Sequence, residues 1–232
     1  MIQVSRCSVL LRCLARALGV VLLFSWAGFA QSAKPAATIT FTLDFPQSAP
    51  NHYQLVLSSD GQATYDSTGK LTPDSDPGDP FHYSFTISPE TLNRIFALAA
   101  KAKYFEGRVD SGKSNLASTG TKVLAYKDDQ RSHQATYNYS PIPAVQQLTA
   151  LLQNISTTLE FGRRLDYYHH YQKLALEEEL KAMEQMTNGK SLDEVQAVAP
   201  ILQRIASDTS VINLTRARAR RLLAENTTAG AH

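Results

Sequence analysis

The fold is decided by residues 38–45, TITFTLDF. In this stretch, threonines and an aspartate alternate with four apolar side chains, those of Ile39, Phe41, Leu43 and Phe45. Successive side chains of a β-strand point to opposite faces, so a period of two predicts a strand with one buried and one solvated face. Strands of this kind are typical of antiparallel sheets, and the neighbouring segments should complete one.

Five further segments repeat the alternation and predict the remaining strands, at residues 53–57, 62–66, 81–87, 121–126 and 133–139. Asp60-Gly61 supplies the positive φ that a tight hairpin requires between the first two of these strands. The polar turn Lys127-Asp128-Asp129-Gln130 separates the last two, which predicts that they form an antiparallel pair.

One helix is predicted to begin directly after residue 87. Ser88 is a favourable N-cap, Pro89 suits the first helical position, and Glu90 places an acid in the first turn. The apolar stripe that follows consists of Leu92, Ile95, Phe96 and Ala99. A single stripe of this kind packs on one face of a sheet.

After Pro141 and Pro143 the apolar period changes to 3.6 residues, and no strand pattern returns. A nearly continuous helical run is expected from Val145 to Met186, with a kink at Gly162 and a stop at Asn188-Gly189. Its first part should bury against the sheet through Leu148, Leu152, Ile155 and Leu159. Its later part should pack on the helices that follow through Tyr168, Leu174, Leu180 and Met183.

In this interpretation the chain reverses at Asn188-Gly189 and forms a helical hairpin with residues 195–202. The sequence Ser191-Leu192-Asp193-Glu194 fits a capping box for the returning helix. Pro200 should bend or shorten that helix, and a last helix should begin near Ser210. The outer edge of the hairpin would be available to a partner.

These patterns predict an α+β fold, in which an antiparallel sheet with one covering helix is followed by an all-helical C-terminal arm. The α+β domain is expected at residues 31–140 and the C-terminal helical region at 141–232.

Residues 1–30 have the order of a secretory signal peptide. Arg6, Arg12 and Arg16 precede the apolar run at 20–24, and the small residues around Phe29 predict cleavage after Ala30. Both cysteines, Cys7 and Cys13, would be removed with this segment, so the mature chain has neither thiol nor disulfide. The predicted location is periplasmic or secreted.

Charge argues against a nucleic-acid partner. The chain has 23 Lys and Arg against 21 Asp and Glu, and removal of the three arginines of the signal leaves 20 against 21, a net charge of −1. No other apolar stretch reaches the roughly 20 residues that span a bilayer, so no transmembrane segment is expected in the mature chain.

The segment Gly107–Ser114, GRVDSGKS, matches the phosphate-binding P-loop pattern. A P-loop needs a buried strand before it and a helix after it, whereas residues 99–105 end a helix and residues 115–120 are short and polar. Nucleotide binding is therefore a remote alternative to a plain connecting loop, and Lys113→Ala should leave folding and function unchanged.

The acidic loop at residues 74–79 has a spacing that could gather calcium, but it departs from the EF-hand template at Pro77, Gly78 and Phe85. A solvated turn is the favoured interpretation.

Asp166, His169 and His170 have the helical spacing of metal ligands, but two ligands on one face do not make a site. Because tyrosines are interleaved with them, we expect an aromatic packing face here. The tyrosines are Tyr167, Tyr168 and Tyr171.

No motif supports catalysis, since the chain lacks a G-x-S-x-G elbow and a cysteine nucleophile. His52, His82 and His133 lie on different strands, and whether they converge is left open. The last helix carries Arg216, Arg218, Arg220 and Arg221. Their spacing spreads them around the helix, which favours exposure to solvent over a single binding stripe. No catalytic, cofactor-binding or metal-binding residue is assigned.

Three segments of the chain carry a resemblance to a known kind of domain. The first is YQLVL at 53–57 with Asp60-Gly61 and Tyr65, the second is ISPETL at 87–92, and the third is Tyr104-Phe105. Together they resemble a small α+β domain of unknown function found in exported bacterial proteins. The resemblance covers about half of the mature chain, from Thr38 to Tyr139, and implies a fold and a bacterial setting but no catalytic residue.

The leading hypothesis is an exported non-enzymatic module with a protein-binding or structural role in the bacterial envelope. Its expected partner is another envelope protein or a second copy, bound through the C-terminal helices, and no cofactor is expected. The alternative is a hydrolase or metal-dependent enzyme whose residues converge only in the fold, near His169 and His170 or among the strand histidines. Stoichiometric zinc in the purified protein would favour the enzyme.

Overall fold

A computed structural model describes residues 36–229, except 47, 73, 74, 76 and 77, with side chains to residue 224. The predicted signal peptide and residues 74, 76 and 77 of the acidic loop at 74–79 lie outside the described residues. The strands are Thr38–Asp44 (β1), His52–Ser58 (β2), Gln62–Thr68 (β3), Pro80–Thr86 (β4), Thr121–Lys127 (β5) and Ser132–Tyr137 (β6). The helices are Pro89–Lys101 (α1), Pro143–Tyr171 (α2), Leu176–Asn188 (α3), Ala199–Ser207 (α4) and Asn213–Ala229 (α5).

The six strands form one sheet in the order β4-β3-β2-β1-β5-β6, and every neighbouring pair is antiparallel. β1 is central, and its Phe41 lies opposite Leu55 on one side and Leu124 on the other. Gly61 has φ +91°, as the predicted hairpin requires. The predicted α+β class with an antiparallel sheet and a helical C-terminal part is confirmed.

The two faces of the sheet differ as the alternation predicts. Ile39, Phe41 and Leu43 are at most 5% exposed, because their face packs against helices. Thr40 and Thr42 point to the other face and remain partly exposed. The helices therefore lie on one side of the sheet.

α1 begins as predicted. The Oγ of Ser88 accepts a hydrogen bond from the backbone N–H of Thr91 at 3.3 Å, and Pro89 occupies the first turn. α2 adds a second covering element, since its Leu148, Leu152, Ile155 and Leu159 are at most 1% exposed. The predicted burial of this part of the helical arm is confirmed.

The expected continuous run from Val145 to Met186 is wrong in one respect. α2 ends at Tyr171, the chain reverses through a short 3₁₀ turn at Lys173–Ala175, and α3 returns along α2. Arg164 of α2 donates to Glu179 of α3 at 2.7 Å across this hairpin. The reversal buries Leu180 and Met183 against neighbouring helices, while Leu174 is 87% exposed at the turn. The expected packing of Leu174 is thus wrong.

α2 is continuous through Gly162, and this glycine allows a close contact. A Cβ at this position would lie 2.5 Å from Cγ1 of Val198, so only glycine leaves room for the segment that crosses the helix there. Residues 195–202 pack on α2 as predicted, with Val195, Val198, Ile201 and Leu202 buried. The predicted helical hairpin about Asn188-Gly189 is wrong, because the helix that ends there, α3, packs on α2 and α5.

The expected capping box at residues 191–194 is wrong. Glu194 has a left-handed backbone with φ +58°, and its carboxylate accepts hydrogen bonds from the N–H of Ser88 at 2.9 Å and its Oγ at 2.5 Å. Glu194 therefore supports the start of α1. A buried carboxylate needs hydrogen-bond donors, and here Ser88, which is distant in sequence, provides them. Pro200 lies in the first turn of α4 and starts the helix, and α5 begins at Asn213, near the predicted Ser210.

One hydrophobic core runs through the sheet and the helices, and the described residues belong to a single compact unit. The expected boundary between residues 140 and 141 stays a prediction. Among the described helices, none is both long and apolar enough to cross a bilayer.

Candidate functional site

α2 crosses the sheet from one edge to the other. Above β6, the hydroxyl groups of Thr149 and Tyr137 are 2.6 Å apart. Above β4, the guanidinium carbon of Arg163 lies 5.3 Å from the centre of the Phe81 ring. The last eight residues of α2 follow Arg163, so the C-terminal end of the helix extends past β4.

A cavity of about 690 Å³ lies beside β4 and this end of α2, and residues 198–204 form its far wall. Four aromatic rings line it among aliphatic side chains, Phe81 and Tyr83 from β4 and Tyr167 and Tyr171 from α2. The Tyr83 hydroxyl donates to the carbonyl oxygen of Ala197 at 2.7 Å, which ties β4 to the far wall. The predicted aromatic face of α2 thus forms one side of a cavity.

The cavity also contains two guanidinium groups. Arg163 is 8% exposed, and its Nη2 donates to the carbonyl oxygen of Asp79 at 3.1 Å. Its Nη1 is buried without a hydrogen-bond acceptor among the described residues and lies 3.6 Å from a carboxylate oxygen of Glu160. Arg204 donates to Asp166 at 2.5 Å near the rim. Each guanidinium thus has a carboxylate partner, Glu160 behind the cavity wall for Arg163 and Asp166 in the lining for Arg204.

Glu160 is the centre of a buried polar cluster next to the cavity. It is 5% exposed and accepts hydrogen bonds from Tyr65 at 3.0 Å and Ser67 at 2.6 Å. Burial, followed by the nearby charge of Glu160, raises the pKa of Tyr65 well above its ordinary value. These bonds anchor α2 to β3, and they hold Arg163 through its ion pair with Glu160.

Of the three spaced residues, Asp166 and His170 come together, with Nδ1 of His170 3.8 Å from a carboxylate oxygen of Asp166, whereas His169 lies apart from them. Asp166 pairs with Arg204, whereas Nε2 of His169 lies 3.0 Å from Asp208 on the far side of the helix. Lys173 and Ser210 also bind Asp208, and the Lys173 ammonium is the main reason that the pKa of Asp208 is lowered. The described residues contain no group of three or more His, Cys, Asp or Glu that could hold a metal ion.

The face of the sheet that the helices do not cover, here called the open face, carries a serine, a histidine and an aspartate in a hydrogen-bonded row. Nδ1 of His82 is 2.6 Å from Asp66, and its Nε2 is 3.3 Å from the Oγ of Ser84. The connectivity matches a Ser-His-Asp triad. The His82 side chain is however 63% exposed on a flat surface, and a triad also requires donors placed around a developing oxyanion.

The other strand histidines lie apart from this row. His52 pairs with Asp44 at 2.5 Å on the open face, and His133 lies on the helix-covered side of β6. The question left open by the sequence is thereby answered, because the three strand histidines do not meet.

The P-loop-like segment has neither of the elements that it needs. A 3₁₀ turn at Lys103–Phe105 precedes it, and the next regular element is β5. Asp110 instead accepts hydrogen bonds from Gly112 at 2.6 Å and Asn138 at 3.0 Å, which clamps the loop to the end of β6.

Searches against protein families and against curated proteins find no match to this chain. The resemblance to a domain of exported bacterial proteins therefore stays a prediction.

Sequence reasoning missed the cavity and its arginines. One signal was available, because Arg163 follows Leu159 by four residues and so falls on the buried stripe of α2. A charged residue at a stripe position indicates a buried ion pair or a polar site.

Proposed function

We propose that the protein is an exported, non-enzymatic binding protein of the bacterial envelope, and that the cavity beside β4 is its binding site. The observation that carries this proposal is an aromatic cavity of about 690 Å³ with a buried arginine in its wall. Ligand sites typically have 300–1,000 Å³, apolar walls and a few polar groups.

The lining favours a ligand with an apolar body and a negative group. Aromatic rings on β4 and α2 offer faces and edges for stacking. Arg204 has a side chain that is 52% exposed and so remains accessible to a ligand, and guanidinium groups bind carboxylates through charge-assisted hydrogen bonds. Because α2 and α4 supply much of the wall, the proposal agrees with a partner bound through the C-terminal helices.

The cavity can be tested with 8-anilinonaphthalene-1-sulfonate, a probe that has an aromatic body and one anionic group. We expect saturable binding to the mature protein, with affinity reduced at least fivefold in Tyr167→Ala. Tyr139→Ala is the matched control, since Tyr139 is an exposed aromatic residue beyond the end of β6. Equal affinities in all three proteins would contradict the assignment of the site.

The partner can be tested by placing the photo-crosslinker p-benzoylphenylalanine at Tyr167 in the native host. We expect a discrete adduct in the envelope fraction that is missing when the crosslinker replaces Gln134, an exposed residue of β6 on the open face. Adducts that are the same at both positions, or absent at Tyr167, would overturn the proposal.

A hydrolase is the second candidate, and the row Asp66-His82-Ser84 is the observation that favours it. Turnover of p-nitrophenyl acetate by wild type and by Ser84→Ala distinguishes the two functions. A binding protein gives equal and low rates, whereas a serine hydrolase loses on the order of 10³-fold or more in the variant.

A further inference from the structure

α2 is longer than the sheet is wide. Its 29 residues span about 44 Å, whereas six strands occupy about 24 Å across five gaps. The 14 steps from Thr149 above β6 to Arg163 above β4 cover about 21 Å, so the helix runs nearly straight across the strands. The eight residues that remain extend about 12 Å past β4, which is the width of about two more strands.

The outer edge of β4 offers free backbone groups at this place. The N–H of Ile87 donates to Gly61 and the N–H of Gly69 donates to Asp79, which shows that odd-numbered residues of β4 bond to β3. The N–H and C=O groups of His82, Ser84 and Thr86 therefore point away from the sheet. No described strand pairs with them.

β4 also lacks the usual protection of an edge strand. Exposed edges are commonly blocked by lysine or other charged residues, by proline or by a bulge. The sequence of β4, PFHYSFT, has no Lys, Arg, Asp or Glu, and its one proline stands at the first position. The edge is open along the three residues that flank the cavity.

We propose that this edge accepts an extended segment of a partner protein as a seventh strand, seated beneath the end of α2 that extends past β4. The inference rests on the proposed function, because it names the class of ligand that the cavity takes. A strand added about 4.8 Å from β4 places every second side chain on the helix side, next to Tyr167 and Tyr171. Those side chains are large and apolar, and an acidic residue beside them can share the guanidinium of Arg204, whose side chain is 52% exposed.

A peptide fits these observations better than a compact small molecule does. A small ligand would use the cavity but leave the row of donors and acceptors on β4 unpaired. An extended backbone pairs with that row while its side chains enter the cavity, as in other cases of strand addition.

The test uses peptides selected from a random nine-residue phage library against the full mature protein. Amide hydrogen exchange is followed by NMR in the free and peptide-bound protein. We expect the outward amides of His82, Ser84 and Thr86 to become protected at least tenfold on binding, whereas the amides of Tyr83 and Phe85 are already protected by β3.

Ser84→Pro removes one outward N–H, and an edge strand tolerates proline at such a position. Its affinity for the selected peptide should fall at least tenfold, while Ser84→Ala, which keeps the N–H, should stay within twofold of wild type. The exchange measurement on wild type decides the question even if the proline variant does not fold.

Two outcomes would overturn strand addition while the proposed function stands. In the first, a crosslink at Tyr167 captures a partner, but no selected peptide competes with that partner or protects the outward amides. The cavity would then bind side chains of the partner without backbone pairing at β4. In the second, those amides are protected without peptide and light scattering shows a dimer, so a second copy occupies the edge. Failure of the crosslink at Tyr167 would instead remove the proposed function itself.

Discussion

The two edges of the sheet are finished in different ways. At β6, the loop after α1 is bound to the residues that follow the strand, since Ser111 donates to the carbonyl of Tyr139 and Thr119 donates to the side chain of Asn138. The ring centres of Tyr104 and Tyr126 are 4.5 Å apart, and the guanidinium carbon of Arg131 lies 4.3 Å from the centre of the Tyr104 ring. At β4, the helix layer extends past the strand and leaves a cavity.

The same helix is also attached differently at its two ends. Near β6 it is held by a neutral hydrogen bond between Thr149 and Tyr137, and near β4 by the buried charges of Glu160 and Arg163. A neutral hydroxyl pair can be removed at small cost, whereas a buried charge left without its partner is expensive. The difference teaches that the two attachments of α2 should respond differently to the loss of one partner.

The largest effect is expected where α3 supports the part of α2 near β4. Leu180 is fully buried in α3, so Leu180→Asp places a charge in an apolar helix interface and should lower the free energy of unfolding by about 4–5 kcal/mol. Limited proteolysis should then cut the α2–α3 hairpin before the strands. Leu174→Asp, at a position that is 87% exposed, is the control and should leave the digestion pattern unchanged. A wild-type pattern for Leu180→Asp would mean that the helix buries another face.

The second effect tests the charged attachment near β4. Arg163→Met leaves Glu160 buried without its cation and should cost about 3–4 kcal/mol in urea unfolding. Adding Glu160→Leu should restore much of that loss. Thr149→Val at the opposite end of α2 should cost only about 1 kcal/mol. Similar losses at the two ends would erase the contrast between the edges.

The third effect is a pH dependence on the β6 side. Burial raises the pKa of Tyr137 to about 12, above the value of about 10 for an unfolded tyrosine. The folded state therefore favours the neutral phenol, so this contribution is present below pH 10 and is lost as pH rises towards 12. Tyr137 should account for about 2–3 kcal/mol of the loss between these values. In urea unfolding at pH 8–12, the free energy of unfolding should decline less steeply with pH in Tyr137→Phe than in wild type. Parallel declines in the two proteins would show that ionisation of Tyr137 does not cause the loss.

The smallest effect concerns the far wall of the cavity. Gly162→Ala pushes against Val198 and should cost about 1–2 kcal/mol, because the crowding outweighs the better helix propensity of alanine. In Gly162→Ala with Val198→Ala the contact is relieved, and thermal stability should return to wild type or above. No rescue by the second substitution would mean that Val198 is not the group that crowds the helix.

The strands were predictable because their pattern is local. Alternation in residues 38–45 and 81–87 reports which side chains share a face. The observed strands, Thr38–Asp44 and Pro80–Thr86, begin and end within one residue of these predicted bounds. The N-cap at Ser88 was predictable for the same reason, since its partner Thr91 is three residues away.

The helical reversal and the site depend on contacts between distant residues. No glycine or proline marks the end of α2 near Gln172, and the reversal there is stabilised by burial of Leu180 and Met183. The cavity follows from the length of α2 relative to the width of the sheet and from the direction in which the helix crosses it. The sequence reports the number of strands, but neither the end of α2 nor the direction in which the helix crosses them.

The bond between Glu194 and Ser88 spans 106 residues of chain. The carboxylate that supports the start of α1 is synthesised long after the strands and the serine it binds, and α2, which covers the sheet, also follows all six strands. The part of the apolar face that α2 covers must therefore stay open until most of the polypeptide has been made. Such a delay in the order of folding gives a chaperone a long interval in which to bind the exposed strands.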